Sequence, residues 1–258
     1  MKYPILRQAH RGASVLYPEN TLLAFSKALT EGVEFIEMDL HLTKDRQVII
    51  IHDETYNRTT NGAGWVWDLD LDEVKKLDAG QGEHVPTLYE VIDLARPTSV
   101  RLCLELKYEP NTIEPIRAEP EAMETTVEVI KILQQTNFID RVVVTSFSPN
   151  VLKHAKEIEP RLPTVLAPSP QDGSLTPKQV MDLVVPCANV VAYYYRYIDK
   201  SFMDEARLAG ISVWAWDPDD PSDILRVINL GVQAVETNRP DILNHVLAGI
   251  KSLPFESQ

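Results

Sequence analysis

The chain has 258 residues, 44% of them hydrophobic and 24% charged. That is the composition of a folded globular protein and excludes dominant disorder. The 38 acidic and 25 basic side chains leave a formal charge of −13. Such a surface repels phosphate backbones and anionic headgroups, which excludes general nucleic-acid binding and disfavours the membrane surface.

Short apolar runs alternate with longer segments of helical period. Strands are expected at residues 5–9, 35–40, 101–106, 142–146, 164–167, 189–192, 212–216 and 234–237. Helices are expected between them at 21–30, 87–95, 121–135, 149–158, 176–183, 200–208, 221–230 and 240–247. Ser148 before Pro149 and Asp199 before Lys200 suit helix starts, and Gly210 and Gly231 suit helix ends. Strict alternation implies parallel strands with right-handed crossovers, and eight such units in about 250 residues suit a closed (β/α)8 TIM barrel. No linker divides the chain, so residues 1–258 are read as one domain. The rival is an open doubly wound sheet, but the Gly-rich fingerprint it calls for is missing after the first strand. Residues 45–71 break the alternation and are expected to be a long insertion at the active-site end.

Cys103 and Cys187 lie in apolar stretches outside any metal or redox spacing, so both are read as reduced core residues. No apolar segment precedes Arg7, His10 and Arg11, and no run reaches the ~18 apolar residues needed to cross a bilayer. A cytoplasmic location without stable membrane insertion is the expectation.

Active sites of such barrels lie at the C-terminal strand ends. Alternation puts Glu37 and Asp39 on one face of the second strand, opposite Ile36, Met38 and Leu40. On the third strand it puts Glu105 and Lys107 opposite Leu104 and Leu106. With the apolar faces on the helices, three acids converge in the barrel mouth, where a hard divalent cation, Mg2+ or Ca2+, would relieve their repulsion. Plain ion pairing, Glu105 with Lys107 and Glu37 and Asp39 with Arg11, is the competing explanation. His10 and His52 are the proton-transfer candidates; His41 shares the acids' face and is a weaker candidate. Arg11 and Lys107 offer positive charge to an anionic substrate. GxSxG, HExxH and P-loop patterns are absent. The residues alone thus point to a metal-dependent barrel enzyme acting on an anion.

Several ordered motifs carry a resemblance. His10-Arg11-Gly12-Ala13, Pro18-Glu19-Asn20-Thr21, the stretch 32–45 around Glu37 and Asp39, His52-Asp53 and Arg58-Thr59-Thr60-Asn61-Gly62 resemble the glycerophosphodiester phosphodiesterase family. Pro86-Thr87-Leu88, Glu105-Leu106-Lys107 and Ser146-Phe147-Ser148-Pro149 continue it; Val213-Trp214-Ala215-Trp216 and Thr237-Asn238-Arg239-Pro240 fit more loosely. The resemblance implies a TIM barrel that hydrolyses glycerophosphodiesters to an alcohol and sn-glycerol 3-phosphate. It implies Glu37, Asp39 and Glu105 as metal ligands, Glu19 as a further site residue, and His10 and His52 as general base and acid. Arg11 and Lys107 would hold the phosphate, and the substrate's own glycerol hydroxyl would be the nucleophile, giving a cyclic phosphate that water opens.

Two departures stand out: Asp217 where the family usually has Asn, and Asn238 where it often has Asp. Both are expected to bear on substrate shape. Trp214 and Trp216 share a face and are expected to pack on the substrate or to fill the barrel; Tyr193, Tyr194 and Tyr195 could line the pocket. Trp65-Val66-Trp67 is the weak candidate for lipid contact. The implied partner is a small-molecule glycerophosphodiester, bound by a monomer or homodimer. Lysophospholipase D-like activity, a non-catalytic binding barrel and a metal-dependent aldolase or isomerase are the alternatives.

Overall fold

A computed structural model describes residues 4–108, 115–169 and 174–251. Eight parallel strands form a closed ring. In order around it they are β1 (Leu6–Ala9), β2 (Phe35–Leu42), β4 (Arg101–Leu106), β5 (Val142–Ser146), β6 (Thr164–Leu166), β7 (Val190–Tyr194), β8 (Ser212–Trp216) and β9 (Ala234–Thr237). β1 pairs with both β2 and β9 and so closes the barrel. Closure rules out the open sheet.

Period-two alternation decides what each strand buries. Ile36, Met38, Leu40, Leu102, Leu104 and Leu106 face outward into one core with Phe25, Leu88, Ile92 and Val129 of the surrounding helices. Phe35, Cys103, Val143, Val165, Ala192, Trp214 and Ala234 fill the barrel interior. Each fully buried aliphatic or aromatic side chain contributes roughly 1.5–3 kcal/mol. The interior layer therefore plugs the lower barrel and leaves only its C-terminal mouth for polar groups.

The helices α1 (Leu22–Thr30), α3 (Leu88–Ala95), α5 (Pro149–Ile158), α6 (Pro177–Val184), α7 (Lys200–Ala209), α8 (Pro221–Leu230) and α9 (Pro240–Lys251) follow the strands as the periodicity predicts. Ser148 caps α5 by accepting from the N–H groups of Asn150 and Val151, and Asp199 caps α7 by accepting from Phe202. Gly210 and Gly231 end α7 and α8 in the left-handed conformation. Two boundaries differ by several residues: α9 runs four residues past the expected 247, and α4 (Pro115–Gln135) starts six residues before the expected 121 and carries Pro120 inside it. Proline removes one backbone donor there, and the helix continues on both sides.

The insertion is larger and more ordered than residues 45–71 suggested. It runs from β2 to α3 and includes β3 (Val48–Ile50), antiparallel to the end of β2, and α2 (Leu71–Val74). Ile49, Ile51, Tyr56, Val66, Val74, Ala79 and Val85 form its own small core, and the Tyr56 hydroxyl donates to the Val66 carbonyl at 3.1 Å. Those apolar residues recur at irregular spacing, so no period announces them. Trp65 and Trp67 stack on each other, 4.9 Å apart. Among the described residues no helix is long and apolar enough to cross a membrane.

Candidate active site

β2 and β4 run in register, with Glu37 beside Cys103 and Asp39 beside Glu105. Glu37, Asp39 and Glu105 each bring one carboxylate oxygen within 4.8 Å of the others. Glu37 is 2% exposed and Asp39 is 0% exposed. Arg11 Nε stands 3.2 Å from Asp39 Oδ2, and Lys107 Nζ stands 2.8 Å from Glu105 Oε1 and 3.5 Å from Asp39 Oδ1. Two of the ion pairs expected as the competing explanation exist, Glu105 with Lys107 and Asp39 with Arg11, whereas Glu37 meets Arg11 only through its backbone N–H. They do not satisfy the cluster, because Glu37 Oε1, Asp39 Oδ1 and Glu105 Oε1 remain buried without an aligned hydrogen bond.

The acids are driven in opposite directions. Burial opposes ionisation of Asp39, but Lys107 and Arg11 outweigh it and hold the carboxyl far below the usual range. Burial, reinforced by the Asp39 charge, pushes Glu37 well above its ordinary value. Convergent all-oxygen ligands in such charge conflict fit a hard divalent cation.

Local backbone delivers the rest. Arg11 and Asn20 adopt left-handed conformations at φ 55° and 58° on either side of the loop after β1. Between them Gly12, at φ 83°, leaves no room for a Cβ, which would stand 2.6 Å from the Ala24 carbonyl carbon. This packing lets the Arg11 backbone N–H donate to Glu37 Oε2 at 3.0 Å and Asn20 Nδ2 donate to Asp39 Oδ2 at 2.7 Å.

His10 follows β1, and its Nδ1 lies 2.8 Å from Asn238 Oδ1. The Asn238 amide is oriented by its other side, where Nδ2 donates to Asp219 Oδ2 at 2.9 Å. Its oxygen therefore faces the ring, Nδ1 carries the hydrogen, and Nε2 is left as the basic atom, 3.9 Å from Glu37 Oε2. Burial and the Arg11 charge lower the His10 pKa to about 4, which keeps the ring neutral in neutral solution. His52 lies in the insertion, just beyond β3. Its Nδ1 donates to Asp53 Oδ1 at 2.7 Å. Arg58 grips Asp53 and Glu19 with two hydrogen bonds each, all at 2.8 Å, and Glu19 accepts from Arg11 at 3.0 Å. Arg58 is the largest cause holding Asp53 down at about 2. Glu19 is thus an orienting contact of Arg11.

A cavity of about 250 Å3 joins these groups. One arc, from β9 through β1 and β2 to β4, carries Glu236, His10, Arg11, Glu37, Glu105 and Lys107, with His52 from the insertion alongside. The opposite arc, from β5 to β8, presents Thr145, Phe147, Ala167, Ala192 and Trp216. Trp216 packs on Tyr194 with ring centres 5.1 Å apart. Trp214 sits a layer lower against Phe35, 5.3 Å away, in the interior plug and outside this lining. Tyr193 stacks on Phe202 of α7 and Tyr195 lies in the outer core, so neither joins the lining. Strand alternation turns Tyr193 outward, and the chain leaves β7 before Tyr195.

Some contributors escape sequence reasoning. Asp217 and Asn238 were expected to shape the substrate pocket; Asp217 lines the cavity, with its Oδ2 3.8 Å from the His10 ring, whereas Asn238 lies outside the lining and orients His10. Glu236 points inward beside Gln8, which donates to it. Burial, with Asp217 and Glu105 nearby, raises the Glu236 carboxyl to about 8. Alternation along β9 could have flagged Glu236, since Ala234 and Glu236 share the interior face.

The chain as a whole is similar to known proteins. The family model "Glycerophosphoryl diester phosphodiesterase family" matches residues 10–242. A glycerophosphodiester phosphodiesterase of Caldanaerobacter subterraneus is 36% identical over 242 residues, covering 91% of this chain and 94% of that protein. A glycerophosphodiester phosphodiesterase of Bacillus subtilis is 32% identical over 263 residues, covering 95% of this chain and 87% of that protein. Among solved structures, a phosphodiesterase of Oleispira antarctica in complex with the product sn-glycerol-3-phosphate superposes with a TM-score of 0.82 at 27% identity, covering 94% of this chain and 96% of that one. The chain belongs to the glycerophosphoryl diester phosphodiesterase family.

Proposed function

We propose that the protein is a divalent-cation-dependent glycerophosphodiester phosphodiesterase that releases an alcohol and sn-glycerol 3-phosphate. One observation carries this reading: three buried or half-buried acids bring carboxylate oxygens within 4.8 Å of one another, two of them lining the cavity, and the two histidines of that cavity have their Nδ1 atoms occupied, leaving both Nε2 atoms for chemistry. Family membership and the relatives' activities agree with it.

Glu37, Asp39 and Glu105 would hold the Mg2+ or Ca2+ ion, which supplies positive charge at the phosphate oxygens when bound. Arg11 and Lys107 border the cavity and add charge for the phosphodiester, with Glu19 holding Arg11. Thr145 Oγ1 and Trp216 Nε1 are buried without partners and are available to substrate hydroxyls. His10 Nε2 takes the proton of a glycerol hydroxyl as its oxygen bonds to phosphorus. The bond from phosphorus to the leaving oxygen breaks, and His52 gives that oxygen a proton while its Nδ1 is held by Asp53. A cyclic phosphate results. Water then opens it with the roles reversed: His52 removes the water proton and His10 protonates the departing glycerol oxygen.

The test is a panel of glycerophosphocholine, glycerophosphoethanolamine and lysophosphatidylcholine, each assayed with Mg2+, Ca2+ or EDTA. Glycerol 3-phosphate should be released from the first two in either or both ions and not in EDTA. Turnover of lysophosphatidylcholine alone would replace this reading with lysophospholipase D activity, and full activity in chelator would remove the cation.

A further inference from the structure

β2 carries a third polar group on the interior face that holds Glu37 and Asp39. His41 is 4% exposed and lies outside the cavity lining. Its Nε2 stands 3.2 Å from the carbonyl oxygen of His52, and its Nδ1 stands 3.3 Å from Glu121 Oε1 on α4. A carbonyl only accepts, so Nε2 bears the hydrogen.

The position of that carbonyl gives the contact its meaning. The β2–β3 ladder pairs His41 with Ile49 and Leu40 with Ile50, and continues with the Ile51 N–H donating to the Asp39 carbonyl at 3.0 Å. At His52 the chain leaves the ladder, and no backbone N–H among the described residues reaches the His52 carbonyl. An unpaired carbonyl there would cost stability and leave the peptide after His52 free to turn. That peptide carries Asp53, the partner of the His52 ring. His41 thus fixes the backbone from one side, while Arg58 fixes Asp53 from the other. His41 is also two residues from Asp39 on the same rigid strand, so it ties the insertion histidine to the frame that holds the acids.

We infer that His41 is a positioning residue that sets the His52 imidazole at the leaving oxygen by clamping the His52 carbonyl. The inference rests on the proposed acid role of His52 and goes beyond it. A displacement of about 1 Å in a proton donor can cost about a hundredfold in rate. In the first step the loss falls on substrates whose leaving group needs protonation, because a phenolate leaves without it.

The experiment follows single-turnover release of choline from glycerophosphocholine and of p-nitrophenolate from the p-nitrophenyl ester of glycerol 3-phosphate, with enzyme in excess, for wild type, His41→Ala, His41→Gln and His52→Ala; this isolates the first step from the cyclic-phosphate opening that both substrates share. His41→Ala should slow choline release about 30-fold, with the half-saturating enzyme concentration changed by less than about threefold, and slow p-nitrophenolate release by less than about threefold. His41→Gln keeps an N–H for the carbonyl and should recover to within about threefold of wild type. His52→Ala should show the same selectivity with a larger loss. If His52→Ala is selective while His41→Ala slows both substrates equally or neither, or the Gln variant is no better than Ala at equal melting temperature, the positioning role is overturned. If His52→Ala is itself unselective, the acid role falls and the clamp falls with it.

Discussion

Asn20 and Asp39 hold each other reciprocally: Asn20 Nδ2 donates to the carboxylate at 2.7 Å, and the Asp39 backbone N–H faces Asn20 Oδ1 at 3.4 Å. Both residues are buried, and Asn20 takes the left-handed conformation that asparagine tolerates well. The residue before the α1 cap thereby aims a carboxylate oxygen of the acidic cluster. Asn20→Ala strips a buried carboxylate of a hydrogen bond and should cost about 1–3 kcal/mol of stability. It should also weaken Mg2+ or Ca2+ binding. Urea unfolding and calorimetric cation titration of the same preparation check both; an unchanged cation affinity would confine Asn20 to a structural role.

Glu37→Gln should remove an oxygen donor and reduce turnover about a thousandfold, equivalent to about 4 kcal/mol of transition-state stabilisation. The fold should survive, because the buried carboxyl it replaces is held well above its ordinary pKa. Wild type in a cation at about 100 times its Kd should gain about 2.7 kcal/mol, a melting shift of roughly 5–10 °C. The variant should show no such shift. Differential scanning calorimetry with and without EDTA makes the comparison.

His10→Ala should lower kcat by about a hundredfold or more while leaving the cation-induced melting shift in place. Asn238→Ala should reproduce part of that loss, about tenfold, because His10 Nδ1 loses the acceptor that keeps Nε2 basic. Steady-state kinetics with a parallel melting curve separates these effects, and a lost melting shift in His10→Ala would mean that the histidine serves the cation site instead.

Glu236 should make the protein sensitive to alkali in the presence of chelator. Its folded carboxyl titrates near 8, against an ordinary value of 4.5. The stability attached to its protonated form is complete below about pH 4.5 and drains away as pH rises toward 8, since the unfolded chain releases the proton more readily. Glu236→Gln keeps an acceptor for Gln8 and removes the titration. In EDTA the variant should gain about 2–4 kcal/mol over wild type between pH 5 and pH 8.5. Parallel stability curves across that range would refute the assignment.

Much of the barrel was legible residue by residue. Alternation along 35–40 and 101–106 is enough to put Glu37, Asp39 and Glu105 on one face, since a strand turns every second side chain the same way. The insertion was legible only as an interruption, because Tyr56, Val66 and Val85 pack through contacts that follow no period.

What sequence alone determined is therefore the set of faces and ends: eight strands, the helices after them, the caps at Ser148 and Asp199, and the acids and histidines of the mouth. What tertiary structure decided is which of these meet. Asn238 lies 228 residues from His10 and Glu236 lies 228 from Gln8, and they touch because β9 closes on β1. Periodicity reports the direction of a side chain relative to its own strand. The identity of its partner depends on ring closure and register, which are set by the packing of the whole barrel.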